Sequence, residues 1–460
     1  MRPLFGSSSR IAKNFCQRIS SQTFDTSSVA TRHMNNTPQK TQELTLVLFT
    51  GSYPYDVAAE QTFLDPEVEC LVANFDQVVV VPGNCTGQKS AVPDGVQVEE
   101  SYAEINQPNS GRARKVFRAL LSRLFYQELF ARPSILFQPF SLKRLIAFVS
   151  QAVLTKGWVG DFIARRKFDV SQAVFYTYWL DAGTTGVGMA KKSYPGLVLV
   201  SRAHGADLYE ERYTPAYIPC RRQSLRNLDR LFPDSEAGRE YISGRYPWFA
   251  PSCEVGRLGV TDPGFVTPSS QDGVFRIVSC SFIVPVKRVD LILRGIEYAA
   301  RLRPAQQFEW HHFGTGPLKQ ALEETARTAL PVNVKSYFPG YSSIEHLMQF
   351  YRTNPIDVFL NVSETEGTPV SVMEAISCSI PVIATAVGGN PEIVSEQNGN
   401  LLSPNPTPAE IAASIFSILD NPGLAEEKRK GSRRVWQEKY DADSNFQAFA
   451  TRLKSIRADT

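Results

Sequence analysis

At 460 residues the chain exceeds what one ordinary hydrophobic core supports and fits two domains of about 200 residues each. Its 43% hydrophobic and 21% charged residues are those of a soluble globular protein, and a net charge of +3 gives no general case for binding nucleic acid. Seven scattered cysteines, without any C-x-x-C pair, argue against a disulfide framework or a zinc site and for reduced thiols in a cytoplasmic setting.

The first 40 residues hold Arg2, Arg10, Lys13, Arg18, Arg32 and Lys40 against the single acid Asp25, with many serines. That composition suits either a targeting-like leader or a disordered one, over residues 1–43. Strand-like apolar runs then recur at βα spacing: the 45 region, 77–81, 173–180, 197–201, 276–281, 308–314, 334–338, 357–362 and 381–385. Helical segments between them predict parallel sheets with crossover helices, an α/β fold. A Pro/Gly/Ser-rich stretch, TDPGFVTPSSQDG (261–273), separates two sets of strands, so the expected domains are 44–262 and 263–435. Residues 436–460 read as a closing helix that crosses back to the first domain.

One region breaks the rhythm. From Gly111 to Lys167 there are twelve Lys or Arg, with only Glu128 and Asp161 as acids. Phe117, Leu121, Leu124, Phe125 and Leu129 fall on one face of a helix that also carries Arg112, Arg114, Lys115, Arg118 and Arg123. A basic amphipathic helix reads either as a contact with an anionic membrane surface or as an ordinary helix packing its stripe inward.

The most informative segment is SETEGTPVSVMEAISCSIPVIATAVGGNPEIV (363–394). A buried strand ends in a loop carrying Glu366, Gly367, Thr368 and Pro369. A helix starts at Val370 and carries Glu374, and a Gly-Gly-Asn-Pro turn follows the next strand. A helix N-terminus presents unpaired amides and favours a diphosphate or sugar oxygens. Within the turn, Asn390 and Pro391 read as a helix start and Glu392 as that helix's dipole partner.

The E-x7-E spacing of Glu366 and Glu374 around G-T-P resembles the donor-sugar motif of family 4 retaining glycosyltransferases, of the kind acting in surface-polysaccharide biosynthesis. The resemblance runs from about residue 44 to 456. It implies a GT-B fold, two Rossmann-like domains facing a central cleft, with 44–262 on the acceptor side and 263–435 binding a nucleotide sugar. It implies catalytic roles for Glu366 and His204, the latter in the loop SRAHGADLYEERY (201–213), which resembles the family's H-G-x-D element. Donor contacts fall on Glu374, Gly367, Thr368, Pro369, Val370, Gly314, Gly316, Tyr341 and Lys287. Lys287 occupies the Lys of the family's G-R-L-x-x-x-K-G element, where Phe282 replaces the Arg and Arg288 the final Gly. Arg288 is therefore the expected substitute for the missing phosphate cation. Gly51, Ser52, Arg202 and Asp207 are expected on the acceptor side, and Tyr53, Pro54 and Glu60 match a pattern of surface-polysaccharide enzymes.

The implied reaction moves a sugar from a nucleotide-sugar donor to a glycan or lipid-linked acceptor, in exopolysaccharide, capsule or lipopolysaccharide assembly. It needs no cofactor and no metal, and Asp441-x-Asp443 is set aside as a metal motif because no strand precedes it. The expected place is the cytoplasm, with a peripheral contact to the inner face of the plasma membrane. The alternative is a catalytically weak GT-B scaffold or a nucleotide-sugar-binding partner subunit, because of Phe282. A GT-B epimerase or phosphorylase is the rival within enzymes.

Overall fold

The computed structural model describes residues 43–57, 60–106 and 112–459. The expected leader therefore lies, except for Glu43, outside the described residues. Apolar runs without alternation make strands covered on both faces. Every residue of β1 (Thr45–Thr50) is buried, and so are all those of β4 (Ala173–Thr177) and β5 (Val198–Ala203). With β2 (Gln77–Pro82), β3 (Val96–Val98) and β6 (Arg230–Pro233) they form a sheet in the order β3–β2–β1–β4–β5–β6, parallel at every pairing.

The second set repeats the scheme. It comprises β7 (Val274–Cys280), β8 (Gln307–Phe313), β9 (Val334–Gly340), β10 (Val358–Asn361), β11 (Val382–Thr385) and β12 (Gly399–Leu402). Their order is β12–β11–β10–β7–β8–β9, again parallel throughout. In both sheets the order reverses once, between β1 and β4 and between β7 and β10. Ligands of doubly wound sheets bind at the carboxyl ends of the strands beside such a reversal. β3, β6 and β12 were not anticipated: Val-Gln-Val, Arg-Leu-Phe-Pro and Gly-Asn-Leu-Leu mix polar, proline or glycine residues with apolar ones, whereas the equally short β10 and β11 lie in longer apolar runs.

The helical segment between β3 and β4 departs from expectation. The single stripe is divided between two helices, Arg112–Leu120 and Arg123–Ala131, because Ser122 starts the second by accepting from the Leu124 amide. Leu124 and Phe125 turn into a core, whereas Phe117 and Leu121 are exposed. A turn at Pro133–Phe137 then leads into the 28-residue helix Pro139–Arg166. Among the described residues no helix is long and apolar enough to cross a membrane.

The chain passes from the first sheet's domain to the second near Val260 and returns after Lys439. The two passages are bonded together. The Val260 amide donates to the Tyr440 carbonyl at 2.9 Å, and the Val260 carbonyl accepts from Ala442 N at 3.3 Å and Trp436 Nε1 at 3.0 Å. Helix Pro422–Lys439 keeps Val435 and Trp436 in the second domain's core. Asp441 caps the next helix, accepting from the Ser444 amide at 3.0 Å, so the return falls at 440–442 rather than at 436. Helix Ala442–Ala458 then lies on the first sheet, with Phe449 against Tyr176 and Phe232.

Candidate active site

β10 ends at the reversal point of the second sheet and delivers Asn361 there. The Asn361 amide donates to Glu366 Oε1 at 3.2 Å, and both Glu366 oxygens lie 2.7 Å from Lys287 Nζ. Lys287 comes from the turn after β7, the other strand at the reversal. Glu366 is buried, so this pair fixes the carboxylate at the cleft. Helix Val370–Ser377 holds Val372, Met373, Ala375 and Ile376 in the core and leaves its first amides without intrahelical acceptors. Glu374, one turn in, is also buried. Among the described residues its carboxylate takes no hydrogen bond, and desolvation raises its pKa from 4.5 to about 7.

Arg288 corrects an expectation. Four of its N–H donors are committed to its own domain: Nε to Val362 O at 2.7 Å, Nη2 to Ser363 O at 2.7 Å and Pro404 O at 2.8 Å, and Nη1 to Asn405 Oδ1 at 3.1 Å. Its backbone is left-handed, with φ 46°. Glycine adopts that conformation without strain, which accounts for the glycine that the resembling motif carries at this position. Arg288 therefore braces the strand ends rather than facing a ligand. Phe282 is 57% exposed, and Tyr341 is exposed at the end of β9. Gly314 and Gly316 are fitted to backbone: a Cβ on Gly314 would meet Ser281 O at 1.9 Å, and one on Gly316 would meet Ile283 O at 2.4 Å.

On the first sheet, β5 carries His204 to its carboxyl end. The His204 ring sits against Tyr178 and Trp179, with Nδ1 3.2 Å from Asp234 Oδ2 and Nε2 3.1 Å from Tyr178 O. Burial pulls its pKa down, but the hydrogen bond and charge of Asp234, with Asp207, outweigh that and raise it. Asp207 supports the loop, accepting from His204 N at 2.6 Å and Leu180 N at 2.7 Å.

Arg202 is a second correction. It is wholly buried, ion-paired with Glu67, bonded to Tyr176 and the Gly256 carbonyl, and stacked on Phe449. It faces the closing helix, as Val198 and Val200 do, because alternate residues of a strand share a face. Ser52 is buried too. Glu60 gathers the loop after β1, accepting from the amides of Gly51 at 2.9 Å, Ser52 at 2.6 Å and Tyr53 at 3.0 Å, and from Trp179 Nε1. Gly51 keeps one side on a cavity of about 920 Å³, which Gly83, Thr177, Trp179 and Asp181 line from the strand ends. Helix Pro139–Arg166 closes it with Lys143, Ile146 and Gln151. Asp181 is open to the cavity yet surrounded by protein. That desolvation, opposed by the Thr184 and Gly183 amides, raises its carboxyl to about 6.

The two domains touch through glycine. A Cβ on Gly205 would meet Gly367 Cα at 2.8 Å and Arg212 Nη1 at 2.7 Å. Thr368 Oγ1 donates to Asp234 O at 3.3 Å. Glu392 crosses the cleft and accepts from the Glu236 and Ala237 amides, both at 2.9 Å, at the start of helix Glu236–Arg245. The His204 loop, the Glu366–Gly367–Thr368 loop and the start of helix Val370–Ser377 thus meet in one place. Sequence reasoning missed Asp181, Asp234 and Arg212 here. Asp234 directly follows the short β6, and Arg212 stands inside the His204 segment without a motif of its own. Among the described residues no group of three or more His, Cys, Asp or Glu is placed to hold a metal ion.

Two doubly wound domains closing on a cleft of this kind are the GT-B fold. Residues 268–435 match the family model described as Glycosyl transferases group 1. A Salmonella typhimurium (strain LT2) protein named for colanic acid biosynthesis, the glycosyltransferase WcaL, is 26% identical over 297 residues, 62% of this chain and 70% of that one. Among solved structures, Anabaena HepE in complex with UDP superposes with a TM-score of 0.59 at 16% identity, covering 90% of this chain and 100% of that one. The lipopolysaccharide outer core galactosyltransferase WaaB gives 0.61 at 15% identity, covering 90% and 99%. At those identities the structural likeness shows the fold.

Proposed function

We propose that the protein is a retaining transferase that moves a sugar from a nucleotide-sugar donor to an acceptor hydroxyl, in the assembly of a surface polysaccharide. The observation that carries this is a pair of carboxylates of unlike setting, one on the loop after β10 and one on the helix that follows it. Glu366 is fixed by Lys287, and Glu374 is buried with its oxygens uncommitted. Glu374 accepts ribose hydroxyls. The amides of helix Val370–Ser377 and Lys287 take the charge that develops on the diphosphate as the sugar–phosphate bond opens. Glu366 orients the sugar and stabilises positive charge at its reacting carbon, without forming a covalent bond. The acceptor attacks from the same face, and its proton passes to the departing phosphate. No cofactor enters the scheme.

The acceptor occupies the cavity of about 920 Å³, where Trp179 and Asp181 suit the face and hydroxyls of a sugar. The name of the Salmonella relative supports the polysaccharide setting, and the neighbour solved with UDP makes UDP-sugars the first donors to test.

Thermal shift against UDP, GDP, ADP, dTDP and their common sugars identifies the donor, because a ligand that binds only the folded state raises Tm. Transfer of a labelled sugar to an acceptor with retained configuration confirms the reaction. The exposed Phe282 favours the second reading, a scaffold that binds donor without turnover. Binding without transfer or hydrolysis, reversed by Phe282→Arg, would establish that reading.

A further inference from the structure

The turn between helices Arg123–Ala131 and Pro139–Arg166 carries an apolar knob that the described chain leaves bare. Phe130, Phe137 and Phe140 are 85%, 87% and 72% exposed, and Leu136 beside them is more than half exposed. The turn is held from beneath: Ile135 and Phe125 are buried in a core with Leu145 and Val149. Pro133 and Pro139 restrict the backbone at the start of each helical piece. Large exposed aromatics on a rigid turn add nothing to the fold and mark a contact with an apolar phase.

The charges around the knob say which one. Arg118, Arg123 and Lys143 are exposed, and none forms an ion pair among the described residues. The only acids between residues 111 and 167 are Glu128 and Asp161, and Glu128 is buried, where it accepts from the Tyr217 hydroxyl. Aromatics flanked by unpaired cations fit a bilayer surface rich in anionic headgroups, where apolar burial and charge attraction act together.

We propose that Phe130, Leu136, Phe137 and Phe140 insert into an anionic bilayer and that the acceptor is delivered from it on a lipid. The bilayer contact stands on the knob alone, whereas the lipid-borne acceptor rests on the transferase reading. The link is helix Pro139–Arg166. It begins at the knob with Phe140 and lines the acceptor cavity from Lys143 to Gln151. At 1.5 Å per residue the cavity wall runs from about 5 to about 16 Å from Phe140. A sugar headgroup spans that distance while its lipid stays in the membrane. The knob narrows the contact, which the sequence suggested for residues 111–167 as a whole, to the turn between these two helices.

The test is sedimentation of the full chain with vesicles of phosphatidylcholine, alone or mixed with phosphatidylglycerol. The chain should bind the anionic vesicles and be partly released by salt, because exposed charges are screened within about 8 Å at physiological ionic strength. Phe130→Ser/Phe137→Ser/Phe140→Ser should weaken binding at least tenfold. Arg118→Gln/Arg123→Gln should remove the preference for phosphatidylglycerol. Thermal shift by the donor nucleotide should be unchanged in both variants. Failure of the wild type to bind either vesicle, or equal binding by the phenylalanine variant, overturns the proposal. So does a wild-type dimer in solution that becomes a monomer in that variant, which would assign the knob to a second copy. Vesicle binding with no transfer to any acceptor, soluble or vesicle-borne, keeps the bilayer contact and overturns the lipid-borne acceptor.

Discussion

Replacing Glu374 by Gln isolates the cost of keeping a carboxylate buried in the helix after β10. Folded Glu374 holds its proton up to about pH 7, against an ordinary value of 4.5. Between those values the folded state binds more protons than the unfolded one, so stability falls as pH rises through the window and levels off above it. At 1.36 kcal/mol per pH unit the full loss is about 3 kcal/mol, most of which falls between pH 5 and pH 8. Glutamine does not titrate. Urea denaturation of both proteins should therefore show the wild type losing on the order of 2–3 kcal/mol relative to Glu374→Gln over that range.

Ribose hydroxyls donating to the carboxylate would favour its charged form, so donor binding should release a proton near pH 6. Donor affinity should tighten nearly tenfold from pH 6 to pH 7.5, readable by calorimetry in buffers of different ionisation enthalpy. A wild type and variant whose stabilities run parallel with pH, or an affinity flat with pH, would refute the placement of Glu374.

Lys287→Ala should lower kcat/KM about a hundredfold, equivalent to about 2.7 kcal/mol, because it removes both the phosphate's cation and the tether of Glu366. Steady-state kinetics on the matched donor decide this. At Arg288 the usual ranking of alanine over glycine should invert. Arg288→Gly should be more stable than Arg288→Ala by about 1 kcal/mol in urea, because the backbone there is left-handed. Gly205→Ala should cut kcat about tenfold with an unchanged circular dichroism spectrum, since its methyl group would press on Gly367 Cα across the cleft.

The parallel sheets were legible because strands buried on both faces write unbroken apolar runs, as in β1 and β4. The strands that escaped, β3, β6 and β12, interrupt their apolar residues with Gln97, Arg230 and Pro233, and Gly399 and Asn400, so no run forms. The loop after β10 was legible as a strand-end turn into a helix because glycine and proline stand together there. What could not be read was direction and long-range pairing. Arg202 and His204 sit two residues apart, yet one is sealed under the closing helix and the other faces the cleft loop. Arg288 stood beside Lys287 as an equal cation until its left-handed backbone turned it toward carbonyls. Glu392 was expected to serve its own helix and instead serves one 155 residues away in sequence, across the cleft. No local pattern encodes such a partner, because the pairing exists only once both sheets have formed.

The bonding of Val260 to the chain at Tyr440 and Ala442 makes the two passages between domains a single seam. Two unlinked tethers would let the domains slide and twist independently. A seam with three hydrogen bonds in one short patch resists both and leaves rotation about its own line as the soft motion. The cleft can then open like a book bound along one edge, with the Gly205–Gly367 contact and the Glu392 cap as its fore-edge. Opening parts those outer contacts while the seam keeps the register, so closure returns the glycine loops to the same alignment.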